Sequence, residues 1–171
     1  MEKTVDEGFR EFHGTLTPTR EQSQSAKRHR VSIELCLKNG FEMTRFVRTG
    51  SFGNGTSIRG YSDVDYLACI PPKNLDDDSF TTLQEVREVL LGRFQDAEVT
   101  IRPPVVRVRF GADTFDYTEI IPADFIQRDT GGNLIYEIAD GASGWLRSSP
   151  DAHKNYVDEV DRKLVVRSNN L

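Results

Sequence analysis

The sequence predicts a single α+β domain, and three observations carry that prediction. Apolar residues recur at helical spacing over 18–39 and again from Phe80 to Phe94. Short apolar or alternating runs at 41–47, 64–70, 97–102, 104–110 and 114–121 read as strands lying among those helices. The length of 171 residues suffices for one domain with a real core and is too short for two comfortable ones. Residues 1–171 are therefore taken as one unit.

Taken in order, 5–12 suggests a short helix with Val5, Phe9 and Phe12 on one side, interrupted by Gly14. Thr17-Pro18 supplies an N-cap and a first-turn proline for the long helix, which Gly40 is expected to end. Ala26, Ile33, Cys36, Leu37 and Gly40 form its apolar side, and Lys27, Arg28, His29 and Arg30 read as a solvated basic face. The strand at 41–47 offers Met43 and Phe46 to the core. The next, at 64–70, reads as a buried strand and stops at Pro71-Pro72. Asp76, Asp77 and Asp78 precede the second helix as caps and dipole partners rather than as a metal site. Within 104–110, Val106, Val108 and Phe110 alternate with Arg107 and Arg109, giving one apolar and one charged face, and Gly111-Ala112-Asp113 turns the chain into the following strand as a hairpin. A polar segment at 124–133 with a Gly131-Gly132 turn leads to a short edge strand at 134–138. Trp145 reads as a core or helix-docking residue. Ser149 and Pro150 are a fitting N-cap and first residue for a last helix, with Val157, Val160 and Leu164 on its apolar side.

Composition excludes several functions. An apolar fraction of 37%, a charged fraction of 29% and a formal charge of -5 describe an ordinary soluble protein, not a bulk nucleic-acid binder. The charged N-terminus lacks a signal-peptide core and no apolar run reaches membrane-spanning length, so a cytoplasmic protein without membrane contact is expected. Cys36 and Cys69 read as small buried hydrophobes, and His13, His29 and His153 share no ligand spacing.

Chemistry concentrates in 50–65, G-S-F-G-N-G-T-S-I-R-G-Y-S-D-V-D. Gly50, Gly53 and Gly55 let backbone N–H groups approach an anion unobstructed, which suits a polyphosphate. Asp63 and Asp65 stand two apart at the head of a strand and so project from one face, about 6 to 7 Å apart along the chain, where two carboxylates can share divalent cations. A phosphate cradle followed within ten residues by paired carboxylates is the layout that holds a nucleoside triphosphate with its Mg²⁺. The absence of G-K-[ST] after the glycines excludes a P-loop, and the early acids exclude a dinucleotide-binding fingerprint.

Gly50, Ser51, Gly55, Thr56, Ser62, Asp63 and Asp65 fill the pattern G-S-x-x-x-G-T-x-x-x-x-x-S-D-x-D, and the stretch thereby resembles the DNA polymerase beta-like nucleotidyltransferase superfamily. The wording G-T-S-I-R-G-Y-S-D-V-D is most similar to the bacterial CD-NTases, relatives of the animal cyclic GMP-AMP synthase and oligoadenylate synthetases. Similarity extends over about 16–164, including the segment around Trp145. The resemblance implies a nucleotidyltransferase core, a mixed and mostly antiparallel sheet with helices packed on one side. It implies two ions, Mg²⁺ or Mn²⁺, held by Asp63, Asp65 and a third acid, with Gly50, Ser51, Gly53, Thr56 and Ser62 around the triphosphate. For the third acid the sequence offers Asp116 and Glu119, which differ in strand parity. In the family this acid commonly stands three residues before a proline; Pro122 puts Glu119 at that place. Arg59 either neutralises phosphate charge or sits exposed.

Family members usually continue into a C-terminal helical domain that closes the nucleotide cleft, and most of that domain is absent here, so a second protein chain is a possible partner completing the cleft. The implied reaction joins nucleoside triphosphates with release of pyrophosphate, giving a cyclic or linear oligonucleotide in bacterial antiphage defence. Two other readings remain open: a minimal nucleotidyltransferase that modifies a protein or small molecule, and a nucleotide-binding module without turnover.

Overall fold

A computed structural model of the chain describes residues 3–16, 19–54, 63–111 and 117–168. Along them run α1 (Val5–Leu16), α2 (Arg20–Phe41), β1 (Arg45–Thr49), the short α3 (Gly50–Asn54), β2 (Val64–Cys69), α4 (Ser79–Arg93), β3 (Glu98–Arg102), β4 (Val105–Arg109), β5 (Tyr117–Arg128), β6 (Leu134–Ala139), β7 (Trp145–Ser148) and α5 (Pro150–Ser168). The strands form one mixed sheet in the order β1-β2-β5-β4-β3, which β6 and β7 extend along the second half of β5. Among the described strands the β2–β5 pair alone is parallel. Parallel neighbours require a crossover, and here α4 with the β3–β4 hairpin supplies it.

The alternation of β2 divides the molecule into two faces. Val64, Tyr66, Ala68 and Ile70 join the large core with Ile33 and Leu37 of α2 and Leu83, Val86 and Leu90 of α4. Each of these large apolar side chains contributes about 1.5–3 kcal/mol by leaving water. Leu67 and Cys69 point the other way, into a smaller cluster with Ala123, Leu134 and Tyr136. Strand parity therefore places Asp65, and Asp63 just before the strand, on the side away from α2 and α4.

Capping and packing explain how α4 is held. Asp78 is its N-cap, with Oδ1 accepting from the Phe80 amide at 2.8 Å, and Asp76 Oδ1 accepts from the Asp78 amide at 2.8 Å. The Trp145 indole N–H donates to the Asp76 carbonyl at 3.2 Å, so β7 is tied to the entrance of α4.

Several elements differ from the sequence expectation. Helix α2 passes through Gly40 to Phe41, and Glu42 takes the left-handed turn at φ 53°. Gly40 instead permits close packing, because a Cβ there would lie 2.9 Å from Val89 Cγ1 on α4. Strand β1 consequently begins at Arg45, although Met43 and Phe46 are buried as expected. Strand β5 runs through Pro122 to Arg128 where a polar loop was anticipated. On its far edge β4 pairs up to Ile120 and β6 from Ala123, so Pro122 falls in the gap between two ladders, where a missing donor costs little. Strand β6 is not an edge, because β7 pairs with it. The Ser149 hydroxyl donates to the Leu134 carbonyl at 2.9 Å, tying the start of α5 to β6. His29 is half-buried and stacks on Phe110 with ring centroids 3.8 Å apart, unlike the exposed Lys27 and Arg28 beside it. Val5, Phe9 and Phe12 of α1 are all exposed. Among the described residues no helix is long and apolar enough to cross a membrane.

Candidate active site

The parallel ladder sets Asp65 of β2 opposite Glu119 of β5, and the antiparallel ladder sets Glu119 opposite Arg107 of β4. One row of charged residues thus crosses three adjacent strands on the face that carries neither α2 nor α4. Asp63 joins it from the turn before β2. The Arg107 guanidinium links the acids: Nε donates to Glu119 Oε1 at 2.9 Å, and Nη2 donates both to Glu119 Oε1 and to Asp63 Oδ2, the latter at 3.1 Å. Tyr117 lies beneath it, with Arg107 Cζ 4.7 Å from the ring centroid.

Gly50 is fixed by this cluster. Thr49 pairs with Asp65 across β1–β2, so the next residue turns directly over the Asp65 side chain. Gly50 has φ 61°, and a Cβ there would fall 1.8 Å from Asp65 Oδ2. No other residue type fits without moving the carboxylate. Gly53 is similarly close to the Arg48 carbonyl, 3.1 Å from where its Cβ would stand. Ser51 lies half-buried between them, on α3. The glycines at 50 and 53 are thus part of a short helical turn rather than of an open loop. Gly55, Thr56, Arg59, Ser62 and Asp116 lie outside the described residues.

Burial and crowding of like charge dominate the electrostatics. Asp65 is pushed up to about 7, first by desolvation and then by the Glu119 carboxylate and Asp63, with Arg107 opposing. Asp63 is also raised, by burial first and then by Glu119, again against Arg107. The Arg107 guanidinium is held more firmly protonated, chiefly through its hydrogen bonding to Glu119. Three carboxylates against one guanidinium leave an excess of negative charge on a partly desolvated surface.

The donor set consists of carboxylate oxygens alone, which suits a hard cation such as Mg²⁺ or Mn²⁺. The side chains as they lie are not drawn into a cage: among the described residues no group of three His, Cys, Asp or Glu is arranged to hold a metal ion. Arg107 joins two of the acids instead. Sequence reasoning put Arg107 on the charged face of its strand and stopped there. A hairpin turning at Gly111-Ala112-Asp113 would set Arg107 opposite Tyr117, so the register that pairs it with Glu119 is not legible from the turn.

A mixed sheet with acids converging at the head of a central strand, next to a glycine turn, defines the nucleotidyltransferase core fold, and bacterial CD-NTases are among the solved structures that match it. The Second Messenger Oligonucleotide or Dinucleotide Synthetase (SMODS) domain matches residues 3–161, and the chain belongs to that family. Vibrio cholerae DncV cyclic AMP-GMP synthase, solved with the linear intermediate 5' pppA(3',5')pG, superposes with a TM-score of 0.66 at 14% identity, over 86% of this chain and 57% of that one. CdnC of E. coli MS115-1 with ATP gives 0.60 at 22% identity over 83% and 45%. The CD-NTase CdnG of Bradyrhizobium diazoefficiens with GTP gives 0.64 at 17% identity over 83% and 43%. The chain therefore spans about half the length of the structures it matches. No curated protein matches it in sequence.

Proposed function

We propose that this domain transfers nucleotidyl groups, joining nucleoside triphosphates into a cyclic or linear oligonucleotide with release of pyrophosphate. The observation that carries the reading is the row Asp65–Glu119–Arg107 with Asp63 beside it, placed next to the Gly50 turn. Membership of the SMODS family supports it, as do relatives solved with ATP, with GTP and with a linear dinucleotide intermediate.

Asp63, Asp65 and Glu119 would hold two Mg²⁺ or Mn²⁺ ions, which when bound supply the positive charge that polarises the α-phosphate and activates the attacking hydroxyl. Gly50 keeps the α3 backbone against the Asp65 carboxylate, so the triphosphate and the acids share one wall. Amides near Gly50 and Gly53, with Ser51, orient the β and γ phosphates; Thr56 and Ser62 position the loop or donate hydrogen bonds. The hydroxyl oxygen bonds to the α-phosphorus as the bond to the bridging oxygen breaks, pyrophosphate leaves with that electron pair, and the hydroxyl proton passes to solvent. The same kinship favours a cytoplasmic role in bacterial antiphage defence, and the far wall of the cleft is proposed to come from outside residues 3–168, a second protein chain included.

Incubation with labelled ATP, GTP, CTP and UTP and Mg²⁺ or Mn²⁺ tests the reading through pyrophosphate and product. Release above that of an Asp63→Ala, Asp65→Ala double variant is expected. Equal release from both proteins would leave a nucleotide-binding module.

A further inference from the structure

Arg107 occupies the position from which a cation would satisfy the acids. Its Nη2 bridges Asp63 Oδ2 and Glu119 Oε1, and Nε donates to that same Glu119 oxygen. Glu119 Oε1 therefore spends its lone pairs on one guanidinium, and a metal ion needs those same pairs. Two cations cannot share them, since a forked guanidinium and a compact dication accept the same electrons from different directions. The guanidinium also has a second hold. Tyr117, two residues before Glu119 on β5, already lies beneath it with the ring centroid 4.7 Å from Arg107 Cζ, and a cation over a tyrosine face is held by the ring quadrupole. The neighbouring Arg109 sits farther from the ring, 6.0 Å from the centroid, where it donates to the Tyr117 hydroxyl at 3.4 Å and pairs with Glu98 at 3.2 Å.

We propose that Arg107 is a built-in counter-cation of the acid cluster, holding Asp63 and Glu119 together while no divalent ion is bound and giving them up to the ion while it stays on the Tyr117 ring. This rests on the nucleotidyltransferase reading of the site and adds to it a positioning residue. Metal binding is then an exchange of cations, in which the acids are never left to repel one another unopposed. It follows that Arg107 weakens metal affinity and strengthens the metal-free fold; a salt bridge that never opened would do both as well, but would leave the Arg107 Nε–H bonded to Glu119 when the ion binds.

The test measures Mn²⁺ binding by calorimetry, and thermal unfolding with and without Mg²⁺, for the unaltered protein, Arg107→Gln and Arg107→Lys. Removing one unit charge a few ångströms from the ion site should tighten Mn²⁺ about tenfold or more in Arg107→Gln, with Arg107→Lys between it and the unaltered protein. The same Arg107→Gln change should lower the metal-free unfolding temperature and enlarge the rise that Mg²⁺ produces. Should Arg107→Gln be too unstable to assay, the unaltered chain answers: the Arg107 Nε–H resonance, assigned by its disappearance in Arg107→Lys, should shift on Mg²⁺ titration with the midpoint of metal binding. Equal or weaker Mn²⁺ affinity in Arg107→Gln, or an Nε–H signal that ignores Mg²⁺, overturns the exchange alone. No Mn²⁺ binding by any of the proteins overturns the metal-dependent reading of the site and the exchange with it.

Discussion

The carboxylate of Asp65 fills the space that a side chain on Gly50 would need: its Oδ2 lies 1.8 Å from where a Cβ would be built. The two residues come from different strands' ends, yet each fixes the other, since the positive φ of Gly50 is what brings the chain so near. Gly50→Ala should therefore harm the site more than the fold. Relief of the clash requires only rotation of the carboxylate, and left-handed backbone strain on alanine costs about 1–2 kcal/mol. The expected outcome is a fall in unfolding temperature of about 2–6 °C, with pyrophosphate release reduced by about two orders of magnitude as Asp65 loses its alignment.

Glu119 and Asp116 separate by substitution. Glu119 stands in register with Asp65, so Glu119→Ala should abolish turnover, by about a thousandfold or more if it serves two ions. Asp116→Ala should leave turnover within about twofold, as a substitution away from the acid cluster does. Initial rates of pyrophosphate release decide the matter, and the opposite pattern would make Asp116 the third acid.

Stability should fall with pH in the metal-free protein. Asp65 is raised to about 7 by burial and by Glu119, above the ordinary value of about 3.9 for an unfolded aspartate. The folded state thus binds the extra proton, and the favourable contribution is complete below about pH 4 and is lost as pH rises through about 7. Asp63, raised for the same reasons, adds with the same sign. Because both groups are partly exposed, the loss should be only about 1 kcal/mol after solvent screening, or about 2–4 °C. Thermal unfolding across that range should show the slope, and Asp65→Asn should flatten it.

Trp145 offers a separate check on nucleotide contacts. Its indole N–H holds the Asp76 carbonyl at the entrance to α4, so Trp145→Phe should cost about 0.5–1.5 kcal/mol of stability. Nucleotide affinity should not change. A loss of affinity without a loss of stability would assign the ring to base stacking.

Local rules made most of this architecture readable. Leu83, Val86 and Leu90 announced the buried side of α4 by spacing alone, and the apolar run of β2 announced its burial. The side of β2 that carries Asp63 and Asp65 followed from parity. What stayed hidden depended on partners distant in sequence. Gly40 read as a helix end because glycine often is one, whereas only the nearness of Val89 on α4 explains it. Pro122 read as the close of a strand, and its tolerance inside β5 depends on two ladders that meet beside it. Arg107 needed the hairpin register and the parallel pairing together before its role as a bridge between acids could be seen.

The strict alternation along β2 has one more effect. A slip of a single position in that strand would drive the Asp65 carboxylate into the main hydrophobic interior and misfit both apolar clusters, so such a chain would not fold at all. Errors of alignment in the reactive groups are in this way screened out during folding, and the chemistry inherits its accuracy from the packing behind it.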